Sequence, residues 1–134
     1  MTPSGILETA LYAPDLDAAE RFYGETLGLE RIDRAGDRHV FFRCGAGVLL
    51  IFNAAQTITP AGPLPIPAHG ARGPGHVCFR ADATEIAAWR RRLAEAKVEI
   101  ESDFEWPQGG RSIYFRDPAG NSIEFAEPRI WGLE

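Results

Sequence analysis

Val40-Phe41-Phe42-Arg43-Cys44-Gly45-Ala46-Gly47-Val48-Leu49-Leu50-Ile51-Phe52 lines up without a gap on Ile113-Tyr114-Phe115-Arg116-Asp117-Pro118-Ala119-Gly120-Asn121-Ser122-Ile123-Glu124-Phe125. Phe-Arg meets Phe-Arg, each run crosses a Gly-containing turn, and each ends on Phe. Upstream, Glu8-Thr9-Ala10-Leu11 matches His76-Val77-Cys78-Phe79. A unit that occurs twice in one chain is a structural repeat. The ungapped match makes Glu8, Ile51, His76 and Glu124 equivalent positions. Three of these four residue types bind divalent cations.

Working outward, each half reads as β-α-β-β-β. Residues 5–12 alternate as a strand. Asp15 caps a helix whose stripe is Leu16, Ala19, Phe22, Tyr23 and Leu27, and Gly28 closes it. Strands follow near 29–33, 38–44 and 47–53, the last two joined by the Cys44-Gly45-Ala46-Gly47 turn. In the second half a strand at 75–81 leads into a helix with Ile86, Trp89, Leu93 and Ala96 on one stripe. Strands near 98–103, 111–117 and 121–127 complete it, with a turn at Asp117-Pro118-Ala119-Gly120-Asn121.

The expected class is therefore α+β: two tandem β-α-β-β-β modules in one domain, forming a curved mixed sheet (a half-barrel) with helices on its outer face. Module 1 covers 5–56, a Pro/Gly-rich linker 57–74, module 2 75–128, and a tail 129–134. Thr57 to Gly75 holds five prolines and four glycines, too many for a regular element. A stretch of that length is a spacer, or a loop over a site.

Composition narrows the partners. The 134 residues, 45% hydrophobic and 25% charged, suit one globular domain. A net charge of −5 gives no electrostatic footprint for nucleic acid. Arg90-Arg91-Arg92 reads as solvated helix face beside Glu95. No run suits a membrane span or a signal peptide. Cys44 and Cys78 stand alone in separate halves, which suggests reduced thiols and a cytoplasmic setting.

Strand alternation assigns the faces. Leu7, Leu11, Leu50, Phe52, Val77, Phe79, Ile123 and Phe125 are expected under the helices. Glu8, Ile51, His76 and Glu124 are expected together on the opposite, cleft-lining face. Two carboxylates and an imidazole in an apolar-walled cleft need a compensating charge, which one divalent metal supplies. Two oxygens and one nitrogen suit Fe²⁺, Mn²⁺, Ni²⁺, Co²⁺ or Zn²⁺ alike. Three protein ligands, Glu8, His76 and Glu124, leave positions open for substrate, as in catalytic sites. The bland alternative is a hydrogen-bonded strand histidine beside solvated carboxylates.

At these residues the chain resembles the vicinal oxygen chelate superfamily. That group includes glyoxalase I, extradiol dioxygenases, fosfomycin resistance proteins, bleomycin-binding proteins and methylmalonyl-CoA epimerase. The resemblance rests on Asp15-Leu16-(x)5-Phe22-Tyr23-(x)3-Leu27-Gly28-Leu29, on Gly75-His76-Val77-Cys78-Phe79, and on Phe115-Arg116-Asp117-Pro118-Ala119-Gly120-Asn121-Ser122-Ile123-Glu124-Phe125. It spans nearly the whole chain and implies metal ligands at Glu8, His76 and Glu124. Glu8 stands where many members carry His, and Ile51 where glyoxalase I carries a glutamate. It also implies a substrate-facing role for Tyr114, whose hydroxyl is suited to an oxyanion.

The leading expectation is a glyoxalase- or dioxygenase-like metal-dependent enzyme, of lyase, isomerase or dioxygenase type. Its small oxygen-rich substrate would chelate the metal through vicinal oxygens. Glu124 and Tyr114 are the expected catalytic groups; Ile51, Phe41, Tyr114 and Arg111 are the expected substrate contacts, with Arg111 clamping an anion. The competing expectation is a metal-free module of the bleomycin-resistance type that sequesters a drug or metabolite. Exposed strand edges favour a homodimer. His69 and Arg72 lie in the long loop, His39 reads as a sheet residue, and Trp131 as a packing residue of the tail.

Overall fold

The computed structural model describes residues 1–134. The chain divides into two compact units, Met1–Pro74 and Gly75–Glu134. Both are built to one plan, so the class is α+β with tandem β-α-β-β-β modules.

In the first unit β1 (Glu8–Tyr12) leads to α1 (Leu16–Arg21), then β2 (Glu30–Ala35), β3 (His39–Cys44) and β4 (Gly47–Phe52). Asp15 caps α1 by accepting the Ala18 N–H at 3.0 Å. The helix widens over Phe22–Thr26 into a π turn, with Leu27 N–H donating to the Phe22 carbonyl. Gly28, at φ 76°, then reverses the chain. The sheet order is β1-β4-β3-β2, with β1 parallel to β4. Leu11, Val40, Phe42, Leu49 and Ile51 are buried on one side of it, and α1 contributes Leu16, Ala19, Phe22 and Tyr23 to the same core. The β1 backbone passes so close to β4 that a Cβ on Gly47 would lie 2.7 Å from the Leu7 carbonyl oxygen. The repeat did not foresee α2, one helical turn at Ala54–Thr57 capped by Asn53. No helix or strand occurs between 58 and 75, in keeping with the prolines there.

In the second unit β5 (His76–Arg80) leads to α3 (Ala83–Glu95), β6 (Ile100–Glu105), β7 (Arg111–Arg116) and β8 (Ser122–Ala126). A short 3₁₀ turn, Pro128–Trp131, follows. Asp82 and Glu85 form a reciprocal capping box at the start of α3, both bonds 2.8 Å. Ile86 and Leu93 are fully buried, and Trp89 stacks on Phe125 at 4.4 Å. The sheet order β5-β8-β7-β6 repeats that of the first unit.

The registers correct the expected faces in one respect. In β1–β4, Glu8 faces Val48 and Ala10 faces Leu50; in β5–β8, His76 faces Ser122 and Cys78 faces Glu124. The counterpart of Glu124 is therefore Leu50, not Ile51. Residues 44–47 separate paired Arg43 and Val48, whereas 117–121 separate paired Arg116 and Ser122, one residue more. Asn121 is the extra residue, buried and bonded to Asp117 and to the Gly75 N–H. The ungapped match slips past it, and a one-residue slip exchanges the faces of a strand. Leu50 and Phe52 thus share the face of Glu8, while Ile51 lies beneath α1 with no exposed surface.

Candidate active site

Within the second unit one sheet face gathers polar groups around Glu124. Registers place His76, Cys78 and Arg80 of β5, Ser122 and Glu124 of β8, and Ser112, Tyr114 and Arg116 of β7 on this face. Glu124 sits centrally and its side chain is only 7% exposed. A buried carboxylate requires hydrogen-bond donors or a cation. Ser112 Oγ donates to Glu124 Oε1 at 2.6 Å, and Trp106 Nε1–H donates to Ser112 Oγ at 2.8 Å. That chain fixes one carboxylate oxygen. The other, Oε2, lies 3.2 Å from His76 Nε2.

His76 is oriented from behind. Its Nδ1 is 3.0 Å from the Ser122 carbonyl, an atom that can only accept, so Nδ1 carries the proton. In a neutral imidazole Nε2 then presents a lone pair toward Glu124 Oε2. Two electron-pair donors converging on one point are relieved by a proton or a metal ion between them. A carbonyl that holds one imidazole nitrogen so that the other is free is the usual support of a metal-bound histidine. The pair fits a divalent cation on this ground. No group of three His, Cys, Asp or Glu side chains is arranged as a complete ligand set.

Tyr114 and Cys78 complete the polar surroundings. Burial, then the hydrogen bond and the charge of Glu124, push the Tyr114 hydroxyl up to about 12, against a smaller opposite effect of Ser112. Partial burial, then the charge of Glu124 and a hydrogen bond to it, push the Cys78 thiol up to about 12. Cys78 remains solvent-accessible, so the neighbouring carboxylate is the more telling of its causes. Both groups stay protonated near neutrality and point donors at the Glu124 region. Tyr114 is stacked between His76 and Phe104, at centroid distances of 6.2 and 6.0 Å.

The first unit presents a different face. Glu8 is exposed near one end of it. Beyond come Leu50 and Phe41, then Tyr12, Phe52 and His39. His39 stacks on Phe41 at 3.9 Å, and Phe52 meets Phe41 edge-on at 5.3 Å. His39 Nε2 pairs with Asp33 at 2.7 Å while its buried Nδ1 has no partner. His69 returns from the Pro/Gly-rich segment, lies edge-on to Phe52 at 4.5 Å, and bonds the Tyr12 hydroxyl through Nδ1 at 2.7 Å.

The expected residues therefore divide. His76, Glu124 and Tyr114 are brought together; Phe41 belongs to the aromatic face that Glu8 shares. Ile51 and Arg111 do not stand on these faces. Arg111 alternates with Ile113 and Phe115 on the α3 side. There it pairs with Asp103 at 2.8 Å, alongside Arg90, and lines a cavity of ≈ 290 Å³ with Ile86. Ser112, Trp106 and Cys78 were not expected at the site. Strand parity with Tyr114 and His76 was the signal for Ser112 and Cys78; Trp106, in the turn after β6, had none.

Comparison with known proteins settles the lineage. Residues 5–125 match the Glyoxalase/Bleomycin resistance protein/Dioxygenase superfamily. The chain belongs to this superfamily. Its structure is similar to that of lactoylglutathione lyase from Agrobacterium tumefaciens, with TM-score 0.94, 47% identity, and coverage of 99% of this chain and 100% of that one. It is also similar to a glyoxalase/bleomycin resistance protein/dioxygenase from Nocardioides, with TM-score 0.74, 24% identity and coverage of 95% and 85%. A virulence protein from Salmonella typhimurium gives TM-score 0.70, 25% identity and coverage of 95% and 98%. No match is found among curated proteins. Glyoxalase family enzymes generally use a divalent metal, and superfamily members bind small molecules and often act as dimers. No helix is long and apolar enough to cross a membrane.

Proposed function

We propose that this chain is a glyoxalase-type, divalent-metal-dependent lyase or isomerase. Its substrate is a small oxygen-rich molecule that chelates the metal through vicinal oxygens. The observation that carries the proposal is the convergence of His76 Nε2 and Glu124 Oε2 at 3.2 Å, each held from behind by its own partner. Glu8, at the position matched to His76, is the third ligand in this reading. Fe²⁺, Mn²⁺, Ni²⁺, Co²⁺ and Zn²⁺ all suit the donor set. Bound there, the ion supplies Lewis-acid polarisation of the chelating oxygens and steadies the enolate-like charge.

The chain's own groups do the rest. Ser112 and Trp106 lock Glu124 so that one oxygen stays directed at His76. The Tyr114 hydroxyl, protonated over the working pH range, donates to an oxyanion forming beside it. Glu124 or Glu8 accepts the proton from the carbon next to the chelating oxygens. Phe41, with Phe52 and Leu50 of the same face, offers an apolar surface for the remainder of the substrate. The similarity to lactoylglutathione lyase supports lyase chemistry over ring-opening dioxygenation. Two unpaired thiols, Cys44 and Cys78, suit a reducing cytoplasmic setting. The edge positions of β1 and β5 suit a homodimer that covers them.

Leu50 at the position matched to Glu124 favours one other reading, a metal-free binder that sequesters a small molecule. The discriminating experiment is metal analysis of protein purified without chelators, followed by assay with the hemithioacetal of methylglyoxal and glutathione. About one equivalent of metal per active site and metal-dependent turnover support the enzyme. Metal below about one-tenth equivalent, unchanged by added Mn²⁺, Fe²⁺, Ni²⁺ or Zn²⁺, supports the binder.

A further inference from the structure

The cavity of ≈ 290 Å³ to which Arg111 contributes lies on the α3 side of the second sheet, away from His76 and Glu124. Arg90 of α3 and Arg129 of the Pro128–Trp131 turn bring two more guanidiniums to it. Two carboxylates are engaged by these three cations. Asp103 Oδ1 accepts from Arg90 Nη2 at 3.0 Å and from Arg111 Nη1 at 2.8 Å, and its Oδ2 accepts from Arg90 Nε. Glu127 accepts from the Arg111 backbone N–H at 2.7 Å and from Arg129 Nε at 3.2 Å. A guanidinium carries five N–H donors. Arg111 Nε and Nη2 and both Arg129 Nη atoms meet no acceptor of this chain. The stem of Arg129 is held in place by a close turn: a Cβ on Gly110 would stand 3.3 Å from its Cγ, and one on Gly109 3.5 Å from its Nη1. Glu105 lines the same cavity, directly across from Arg111 in the β6–β7 register. Arg111 reaches past it to Asp103, and Glu105 is left exposed without an ion pair. Ala83 and Ile86 of α3 add an apolar wall.

We propose that this cavity is a second ligand site and that it takes a free aliphatic α-amino acid. Counted with Asp103 the charges balance, but they are sorted: one cation is in excess among the guanidiniums, and one carboxylate, Glu105, is unspent. Cross-strand neighbours hold their Cβ atoms about 5 Å apart, so the two unspent charges are close together. A ligand that carries its carboxylate and its ammonium on one carbon complements that spacing. Its carboxylate takes the free N–H groups of Arg111 and Arg129, the fork geometry a guanidinium offers such a group. Its ammonium takes Glu105, and its side chain lies against Ala83 and Ile86. The volume sits at the lower bound of small-molecule pockets, about 300 Å³, which suits a ligand of this size. The site is independent of the metal seat, which lies on the other face of the sheet.

The test is calorimetry on the full chain with three probes: L-valine, N-acetyl-L-valine, which lacks the ammonium, and L-valinamide, which lacks the carboxylate. L-Valine should bind with a Kd on the order of 1 mM, and each derivative about tenfold more weakly. E105Q should weaken L-valine about tenfold and leave N-acetyl-L-valine unchanged. R129Q should weaken L-valine and leave L-valinamide unchanged. Thermal melts check that both variants fold, and the three probes on the unaltered chain decide the matter if one does not. EDTA should leave L-valine binding as it was, because the cavity makes no use of the metal seat. No saturable binding of L-valine, equal binding of all three probes, or an L-valine affinity that either substitution leaves unmoved would overturn the proposal. So would L-valine binding that EDTA abolishes, which puts the amino acid on the metal instead.

Discussion

The two sheets share strand order and register, yet matched positions carry opposite chemistry. Leu50 stands where the second sheet has Glu124, Phe41 where it has Tyr114, His39 where it has Ser112, and Tyr12 where it has Arg80. Only Glu8 and His76 are matched ligand types. A repeated backbone therefore supplies two equivalent platforms, and side-chain choice turns one into an aromatic wall and the other into a polar hub. The first face is suited by its aromatic side chains to apolar contact, and the second by its carboxylate and imidazole to charge.

That comparison can be broken at the register first. Ile51→Glu places a carboxylate in the α1 core, where nothing pairs with it, and should cost more than about 4 kcal/mol, enough to unfold much of the protein. Leu50→Glu, on the other face, should cost only about 1–3 kcal/mol by thermal or urea denaturation. Equal losses would mean the faces are misassigned. Next comes the hub. Glu124→Gln keeps the shape but removes the charge, and should weaken metal binding by more than about a hundredfold in a competition titration. Ser112→Ala, which frees the carboxylate oxygen that Glu124 does not use for metal, should weaken it about tenfold.

Smaller effects sharpen the contrast between hub and surface. Cys78 and Tyr114 have folded-state values raised to about 12. Where the folded value of an acid exceeds the unfolded one, the unfolded chain loses protons first as pH rises. Stability is then full below the ordinary thiol range and falls between that range and about pH 12. Alkylation of Cys78 should correspondingly stay slow at pH 8 and keep rising well past the ordinary thiol range. A plateau near pH 9 would contradict the influence of Glu124. The smallest effect is expected at Asp103, which Arg90 and, less strongly, Arg111 hold below the usual carboxylate range. A lowered carboxylate contributes stability above its unfolded value and loses it as pH falls through the folded one. Asp103→Asn should cost about 1 kcal/mol near neutral pH and nothing in strong acid.

The sequence made the elements legible and brought out the neighbourhood of His76, Glu124 and Tyr114, and physical causes explain the remainder. Asp15 caps the first helix through a local hydrogen bond, Gly28 takes the positive φ that ends it, and Ile86, Trp89 and Leu93 recur at helical spacing, so α1 and α3 were readable. His76, Glu124 and Tyr114 share a face by simple alternation, so their meeting was readable too. The partner of Glu124 was not, because matching Ala46-Gly47 to Ala119-Gly120 respects identity but not the extra Asn121. Arg111 was expected to clamp an anionic substrate, yet its parity with Ile113 and Phe115 already placed it on the α3 side. Trp106 reaches Ser112 from a turn, and no periodicity reports on a turn. The aromatic set of Tyr12, Phe52 and His69 joins a strand to a proline-rich segment far along the chain, a contact fixed only in three dimensions.

Anomalous diffraction from crystals grown with Co²⁺ tests the central claim most directly. The account predicts a single strong peak at bonding distance, roughly 2.0–2.2 Å, from His76 Nε2 and Glu124 Oε2, with the Glu8 carboxylate as third ligand. A structure with no peak at His76 and Glu124, at full Co²⁺ loading and neutral pH, would contradict it.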